Sequence, residues 1–386
     1  MKVEIPKNTY IQKIEINDSN VDIHFQPKKK VGLMFISLNP TYWPYLAQVL
    51  KDCRAQFLTH HQVEYFVWTD YNEESKKRQF THFETLWEKW NGGAELFNEY
   101  ASLVHLHRLF YPQAIQQATD FLAQHNLFFK SEGIFKNWME SNVPVTKESV
   151  RHIVEAAFII LRAFHADMDA TLQGVTISET EGIEWPAPTL MRYHLFLNQK
   201  EALQKMDYLF YLDADMRVVQ KISDEILGEG LTAAPHPGYA IAAKFIPPYE
   251  PNPDSTAYIH RLGFLAEENG KKRFKPFYAA GGFQGGVTKE FIKAMETMRA
   301  NIDLDFDKNY VAIWNDESHW NKYLWNYKKH ITFLDVSYVH PDSLIKEYYI
   351  PLWGQEYQPK IITLTKPFSL SVQGGKELQE LTQLPK

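Results

Sequence analysis

Short apolar runs and long amphipathic stretches follow one another along the chain, and their order predicts the architecture. Ile14, Ile16, Val21, Ile23 and Phe25 alternate with polar residues around the turn-forming Asn17-Asp18-Ser19-Asn20, which predicts a small hairpin within residues 1–30. Residues 31–36 and 63–68 are continuous apolar runs of strand length, separated by a glycine-free segment at 43–58 with helical spacing. Strand, helix, strand is the opening of a parallel α/β sheet. From Asn72 to Asp167 the pattern turns helical and aromatic-rich, with breaks at Gly92-Gly93, Pro112, Gly133 and Pro144. Val154, Ala157, Phe158, Leu161 and Phe164 mark one face of a helix over 148–165. The sheet resumes at 208–212 and gives way to loops rich in proline (235–253) and glycine (281–286), while the stretch after Pro367 is polar and expected to fray. The reading divides the chain into a hairpin (1–30), a sheet domain in two pieces (31–70 and 186–370), a mostly helical insertion (71–185) and a polar tail (371–386).

Composition removes whole classes. With 386 residues, 45% of them hydrophobic, and a formal charge of −6, the chain is neither disordered nor collagen-like. The acidic balance argues against a nucleic-acid partner, whose affinity comes from neutralising phosphates. Aromatic residues make up 15%, which suits both a protein that offers flat rings to a sugar and a bulky core. Cys53 is the only cysteine, so an internal disulfide is excluded and a reducing cytoplasm is the expected compartment, with peripheral membrane attachment as its variant. The first 30 residues hold no long apolar run, so neither a signal peptide nor a membrane span is expected.

The most informative local feature is the apolar run 208–212 leading directly into Asp213-Ala214-Asp215. Residues i and i+2 of an extended chain project to one side, so these carboxylates can converge on a hard divalent cation beyond a strand's carboxyl end. A strand followed by Asp-x-Asp also begins the haloacid-dehalogenase phosphotransferases, although Arg217 stands where those carry Thr or Val. The other Asp-x-Asp patterns, Asp167/Asp169 and Asp303/Asp305/Asp307, read as solvated carboxylates; Lys308 and Trp314 occupy the glycine and glutamate positions of a calcium loop and exclude one. Residues 314–323 concentrate Trp314, Asp316, Glu317, His319 and Trp320 at a predicted helix start capped by Asn315 or Asp316, with Glu317 as a candidate for stabilising a sugar cation. The glycine-rich 277–286 predicts either a turn or a close approach of backbone to a ligand or another strand. His60/His61 and His105/His107 show no acid at useful spacing and read as surface or core histidines.

Taken in order, these blocks resemble glycosyltransferase family 6, which includes the histo-blood-group A and B transferases and the α1,3-galactosyltransferases. The resemblance rests on residues 31–42 with 63–70, on Thr189-Leu190-Met191-Arg192, and on Asp207 to Met216. His236-Pro237-Gly238-Tyr239, Tyr249-Glu250, Ser255 to Ile259, the glycine-rich block and 314–323 complete it. It implies a GT-A type α/β fold with a mixed, mostly parallel central sheet and a large helical insertion. It further implies a retaining transferase that moves N-acetylgalactosamine or galactose from a UDP-sugar to a hydroxyl of a glycan-type acceptor in α linkage. In that reading Asp213 and Asp215 hold Mn²⁺, or Mg²⁺ in its place, while Tyr42, Asp70 and Arg192 bind the donor. Asp316 positions the transferred sugar, His236 and Trp314 contact the acceptor, and Glu317, on the acceptor side, is the candidate nucleophile. Ala280 and Gly282 match the positions beside the transferred sugar, and their small size favours the N-acetylated donor. A phosphotransferase using Asp213 and a non-catalytic sugar-binding protein are the competing readings. The chain departs from the family at Asn315, where a histidine is usual, and in the length between Asp70 and Arg192.

Overall fold

The computed structural model describes residues 5–365 except 18–19, 126, 128–145, 184–186, 240–246, 261–264, 269–270, 275–277, 328, 345, 347–349 and 351–352. The turn centre at 18–19, the breaks expected at Gly133 and Pro144, Phe277 and the tail 371–386 therefore lie outside the described residues. In chain order the elements are β1 (Thr9–Asn17), β2 (Asn20–Pro27), β3 (Lys30–Ser37), α1 (Trp43–Gln56), β4 (Gln62–Thr69), α2 (Glu73–Glu88), α3 (Glu95–His107), α4 (Pro112–Gln124) and α5 (Lys147–Thr171). Then follow β5 (Thr176–Glu179), α6 (Ala187–Leu190), α7 (Arg192–Leu197), α8 (Lys200–Leu203), β6 (Tyr208–Leu212), β7 (Met216–Val218), β8 (Leu231–Pro235), β9 (Leu265–Glu268) and β10 (Lys271–Phe274). The last are β11 (Ala279–Val287), α9 (Thr288–Asp307), α10 (Asn315–Asn326), β12 (Ile331–Phe333), β13 (His340–Pro341) and β14 (Ile361–Thr363).

The central sheet has seven strands in the order β12-β8-β11-β6-β3-β4-β5. β12 runs parallel to β8, and β6, β3, β4 and β5 are mutually parallel, whereas β11 is antiparallel to both neighbours. β3 and the second half of β4 are buried on both faces, which is why they read as unbroken apolar runs. One face is covered by α1, through Trp43, Leu46, Leu50 and Cys53 against Leu33, Phe35 and Phe210. The opposite face is covered by α7, α9 and α10, through Tyr193, Phe196, Phe291, Met295 and Trp320 against Met34, Trp68 and Tyr211. From β3 the chain moves outward to β4 and β5, then returns to the other side of β3 as β6. This reversal opens a crevice beyond the carboxyl ends of β3 and β6, where ligands of open α/β sheets bind. β1 and β2 form the expected hairpin, β9 and β10 a second one, and β13-β14-β7 a small separate sheet.

The segment expected as one helical insertion over 71–185 is helical from Glu73 to Thr171 among the described residues, but it ends in β5, which pairs with β4 as the edge of the central sheet. The helices make their own core from Phe83, Phe97, Tyr100, Leu122, Ile153, Val154 and Leu161. Farther along α5, Phe164 and Met168 belong instead to the core under α1, so one helix is shared by both cores. Its amino end is fixed by a capping box between Thr146 and Ser149. Of the expected solvated loop carboxylates, Asp169 is exposed and Asp167 half-buried, but both stand on α5 and both are paired. Asp167 accepts from Lys51 Nζ at 2.6 Å and Tyr111 hydroxyl at 2.8 Å, and Asp169 accepts from Tyr71 hydroxyl at 2.9 Å and pairs with Lys76 at 2.7 Å. Of the two readings of the glycine-rich block, close approach to another strand holds over Ala279–Val287, which is β11, a central strand rather than a turn. A Cβ on Gly285 would lie 2.5 Å from the Leu209 carbonyl oxygen, and one on Gly286, at φ 138°, would lie 2.3 Å from that of Gly230. Among the described residues, no helix is long and apolar enough to cross a membrane.

Because α5 joins the two cores, Phe164→Ala is expected to cost about 3–5 kcal/mol and to lower the stability of sheet and helices together. Urea unfolding followed by tryptophan fluorescence and by far-ultraviolet circular dichroism checks this; transitions that separate for the variant, with the sheet unchanged, would contradict it.

Candidate active site

β6 delivers Asp213 to the crevice, where the Asp213 N–H donates to the Gly282 carbonyl of β11 at 3.0 Å. Its Oδ1 accepts from Arg192 Nη2 at 3.2 Å and from the Tyr211 hydroxyl. Arg192 opens α7 and is 3% exposed. Its Nη1 lies 2.8 Å from Asp316 Oδ2 and donates to the Gly281 carbonyl at 2.8 Å, while its guanidinium stands 4.1 Å from the centre of the Tyr211 ring. A buried guanidinium persists only when it is paired and hydrogen-bonded, and two carboxylates, a carbonyl and an aromatic face meet that requirement. Their negative charge holds Arg192 protonated against the cost of its burial.

Asp316 and Glu317 occupy the first turn of α10. The sequence reading placed the cap on Asn315 or Asp316; instead Trp314 is the capping position, with no side-chain cap, and Asn315 adopts φ 51°. Asparagine tolerates this left-handed backbone better than most side chains, and the Trp314 N–H donates to Ser318 Oγ at 3.1 Å. Glu317 Oε2 accepts the Gly281 N–H at 2.6 Å. Burial raises the Asp316 carboxyl to about 7; Arg192 pulls it down, and Asp213 and Glu317 push it up again. Burial likewise raises Glu317 to about 7, opposed by the Gly281 N–H and reinforced by Asp213.

β11 loses regular register between Ala279 and Gln284, and the irregular stretch lies against these carboxylates. A Cβ on Gly281 would lie 3.2 Å from Glu317 Oε2, and one on Gly282 would lie 2.7 Å from Asp213 Oδ2 and 2.6 Å from Met216 Cε. Gly282 is therefore small because a carboxylate and a methionine take its place, and Ala280 packs in the core beneath α1. Three functional side chains escaped the sequence reading. Asn321, one turn beyond Glu317, grips both polar groups of Ala279: its Oδ1 accepts the Ala279 N–H at 2.7 Å and its Nδ2 donates to the carbonyl at 2.9 Å. Gln284 donates to the Gly281 carbonyl at 3.0 Å and accepts from the Tyr193 hydroxyl at 2.8 Å. The signal was partial: Gln284 and Asn321 lie within 277–286 and 314–323 and Tyr193 directly follows Arg192, but sequence alone does not reveal which groups they satisfy.

The remaining expected residues make contacts of their own. Asp215 is 4% exposed, and its carbonyl accepts from the Leu364 N–H at 3.0 Å. Tyr42 is half-buried just before α1. Asp70 closes β4 and accepts from Trp43 Nε1 at 2.8 Å and the Asn39 N–H at 3.0 Å, which locks the β3–α1 loop. It lines a cleft of about 970 Å³ together with Thr41, Arg78, Gln79, His82 and His105, so helices of the insertion form one wall. His236 and Trp314 border Tyr239, Tyr249 and Tyr278. His236 Nδ1 accepts the Gly238 N–H at 3.1 Å, leaving Nε2 as the protonated nitrogen of a ring whose pKa burial lowers to about 4. The Trp314 indole N–H is buried without a hydrogen-bond partner.

Asp213, Asp316 and Glu317 surround a single guanidinium, and this excess of acid fits a divalent cation, with Asp213 and Asp215 as the carboxylates at the strand exit. Another group, His60, His61 and Asp224, has ligand atoms within 4.8 Å of one another. The expectation that these histidines lack an acid is thus corrected: both Nε2 atoms contact Asp224 Oδ1, at 2.6 and 2.9 Å. They do not suit a metal, because His61 Nδ1 accepts the Lys29 N–H at 3.0 Å, which leaves the proton of the neutral ring on Nε2, the would-be ligand atom.

A model of the family described as glycosyltransferase family 6 matches residues 175–347. The chain is 31% identical over 183 residues to O-antigen biosynthesis glycosyltransferase WbnI of Escherichia coli, covering 47% of this chain and 69% of that protein. It is 34% identical over 141 residues to histo-blood group ABO system transferase 1 of Rattus norvegicus, covering 36% of this chain and 37% of the relative. It is also 33% identical over 124 residues to globoside alpha-1,3-N-acetylgalactosaminyltransferase 1 of Homo sapiens, covering 32% of each. The chain thus spans about a third of the length of these animal relatives.

A carboxyl raised by folding stabilises the fold fully only below its ordinary range, and that contribution is lost as pH rises through its folded value. Glu317→Gln keeps an acceptor for the Gly281 N–H and removes the charge, so in chelator its Tm should gain on the native protein between pH 5.5 and 8. A Tm difference that does not change with pH would show that Glu317 ionises normally.

Proposed function

The chain belongs to glycosyltransferase family 6 and has its GT-A fold, and on that premise we propose that it moves galactose or N-acetylgalactosamine from a UDP-sugar to a hydroxyl of a glycan acceptor, retaining the anomeric configuration. The observation that carries the proposal is the single buried guanidinium of Arg192 between Asp213 and Asp316, beside a Glu317 fixed through Oε2. The haloacid-dehalogenase alternative falls with family membership. Arg217 moreover turns away from the site to pair with Asp52 of α1. A bound Mn²⁺ or Mg²⁺, held by Asp213 and Asp215, would supply positive charge to the departing diphosphate.

The chain's own residues do the rest. Arg192 fixes the orientation of Asp316, whose carboxylate holds the sugar, and it offsets part of the charge that gathers when both acids ionise. Glu317 is the base or nucleophile on the sugar's reacting face, and the Gly281 N–H prevents its rotation. Placing it in the first turn of α10 favours its anionic form through the helix dipole, against the burial that raises its pKa. The cleft walled by Asp70, Arg78 and Gln79 has the size for the nucleoside half of the donor. His236 Nε2 and the Trp314 indole N–H are donors suited to acceptor hydroxyls, with the tyrosine cluster behind them as an apolar floor for a sugar ring.

Incubation with UDP-galactose or UDP-N-acetylgalactosamine and Mn²⁺ should release UDP slowly in water and faster with a suitable glycan, and chelator should abolish both. Asp213→Asn and Glu317→Gln should each lower transfer by about 10²-fold or more. Transfer that survives chelator would defeat the metal assignment, and UDP-sugars left intact across a panel of hydroxyl acceptors would defeat the activity.

A further inference from the structure

The β1–β2 hairpin carries an apolar face that the transferase chemistry does not use. Its register sets Ile16 opposite Val21, Ile14 opposite Ile23 and, across a bulge, Ile11 opposite Phe25, and directly opposed residues of an antiparallel pair share a face. Four of these six stand open to solvent: Ile16 is 78% exposed, Ile14 52%, Val21 48% and Ile11 37%. Lys13 and His24 oppose each other on the other face, where both contact Glu15. Contiguous aliphatic exposure on an arm is unlike the scattered apolar residues of ordinary surfaces, and a lone two-stranded ribbon is marginally stable without something to pack on. The arm is nonetheless firmly placed at its base. The Tyr10 hydroxyl donates to Asp224, which both His60 and His61 also contact.

We propose that this arm is a membrane-surface anchor whose apolar face lies on an anionic lipid bilayer. Two features of the protein select that occupant. The first is charge: Lys7, Lys28, Lys29 and Lys30 gather four positive charges at the base of the arm, in a chain whose total is −6, while the ribbon between them carries Lys13 against Glu15, Asp18 and Asp22. The lysines at its base turn the arm toward an anionic surface. The second is area. The exposed aliphatic patch is on the order of 400 Å², about half of what each partner of a stable dimer buries. Binding to a bilayer surface has no such threshold, because it grows with apolar area and with attraction to anionic lipid.

Co-sedimentation of the full chain with phosphatidylcholine vesicles, with and without phosphatidylglycerol, tests the assignment. The native protein should pellet with the anionic vesicles, remain in solution with the neutral ones, and be released by high salt. Ile16→Ser with Val21→Ser, and separately Lys28→Glu with Lys30→Glu, should each lower the partition roughly tenfold at an unchanged unfolding midpoint. Should a variant unfold, Val21→Cys labelled with a polarity-sensitive dye replaces it, since Cys53 is buried; its emission should shift to the blue only with anionic vesicles. Absence of the native protein from every pellet, with no dye shift, overturns the proposal. So does a concentration-dependent dimer in sedimentation velocity that Ile16→Ser with Val21→Ser dissolves while vesicles bind neither protein, because the patch then belongs to a second copy.

Discussion

One guanidinium holds the centre of this protein together. Arg192 is buried, and its nitrogens reach Asp213 at the end of β6, Asp316 at the start of α10 and the Gly281 carbonyl on β11. Three elements far apart in the sequence are thereby fixed to one point. Burying a charge is costly unless it is paired and hydrogen-bonded; Arg192 leaves only its Nε without a partner, and the constraint works in both directions: the acids hold Arg192 in place, and Arg192 sets where the acids stand. It cannot neutralise all of them. Asp316 and Glu317 are raised to about 7 in a site with three carboxylates and one cation, and that imbalance leaves room for further positive charge.

The backbone of β11 completes the arrangement. Gly281 uses its N–H on Glu317 and its carbonyl on Arg192 and Gln284, so a residue without a side chain links the anchored acid to the buried cation. Asn321 adds a second tie between α10 and β11 one turn away, and Tyr193 steadies Gln284 from α7. Small residues here serve close approach, and Gly282 faces Asp213 for the same reason. Packing alone thus requires a residue without a side chain at Gly282.

Much of the sheet was legible in the sequence, for a physical reason. Parallel strands buried on both faces must be apolar throughout, so β3, β4 and β6 are visible as uninterrupted runs, and Asp213 follows from the place where the last run stops. β11 was only half legible, because glycine-rich sequence ordinarily signals a turn and its glycines answer to the adjacent strands β6 and β8. The acids of the helices were hidden differently. Asp305 sits in α9, 1% exposed, and accepts from Ser255 Oγ at 2.7 Å and the Thr256 N–H at 2.8 Å, fastening the loop that carries Tyr249 and Glu250. Its flanking Asp303 and Asp307 give no hint of this, since burial on a helix is decided by the face and not by the residue. The third partner of His60 and His61 was invisible for a simpler reason: Asp224 lies more than 160 residues away.

The position of the arm relative to the catalytic edge follows from one strand. β2 ends at Pro27 and β3 begins at Lys30, so the hairpin joins the sheet at the amino end of β3. The carboxyl end of that strand leads to Asn39, Tyr42 and the crevice beside Asp213. Eight residues at roughly 3.3 Å each separate the two ends by about 26 Å, so whatever holds the arm stands across the sheet from the reacting centre. Asp207, just before β6, accepts the Lys30 N–H at 2.8 Å, and its N–H donates to the Lys30 carbonyl at 2.7 Å. The base of the arm is therefore tied to the strand whose far end carries Asp213, and the arm and the active site hold a fixed relation because β3 and β6 are hydrogen-bonded side by side through the middle of the core.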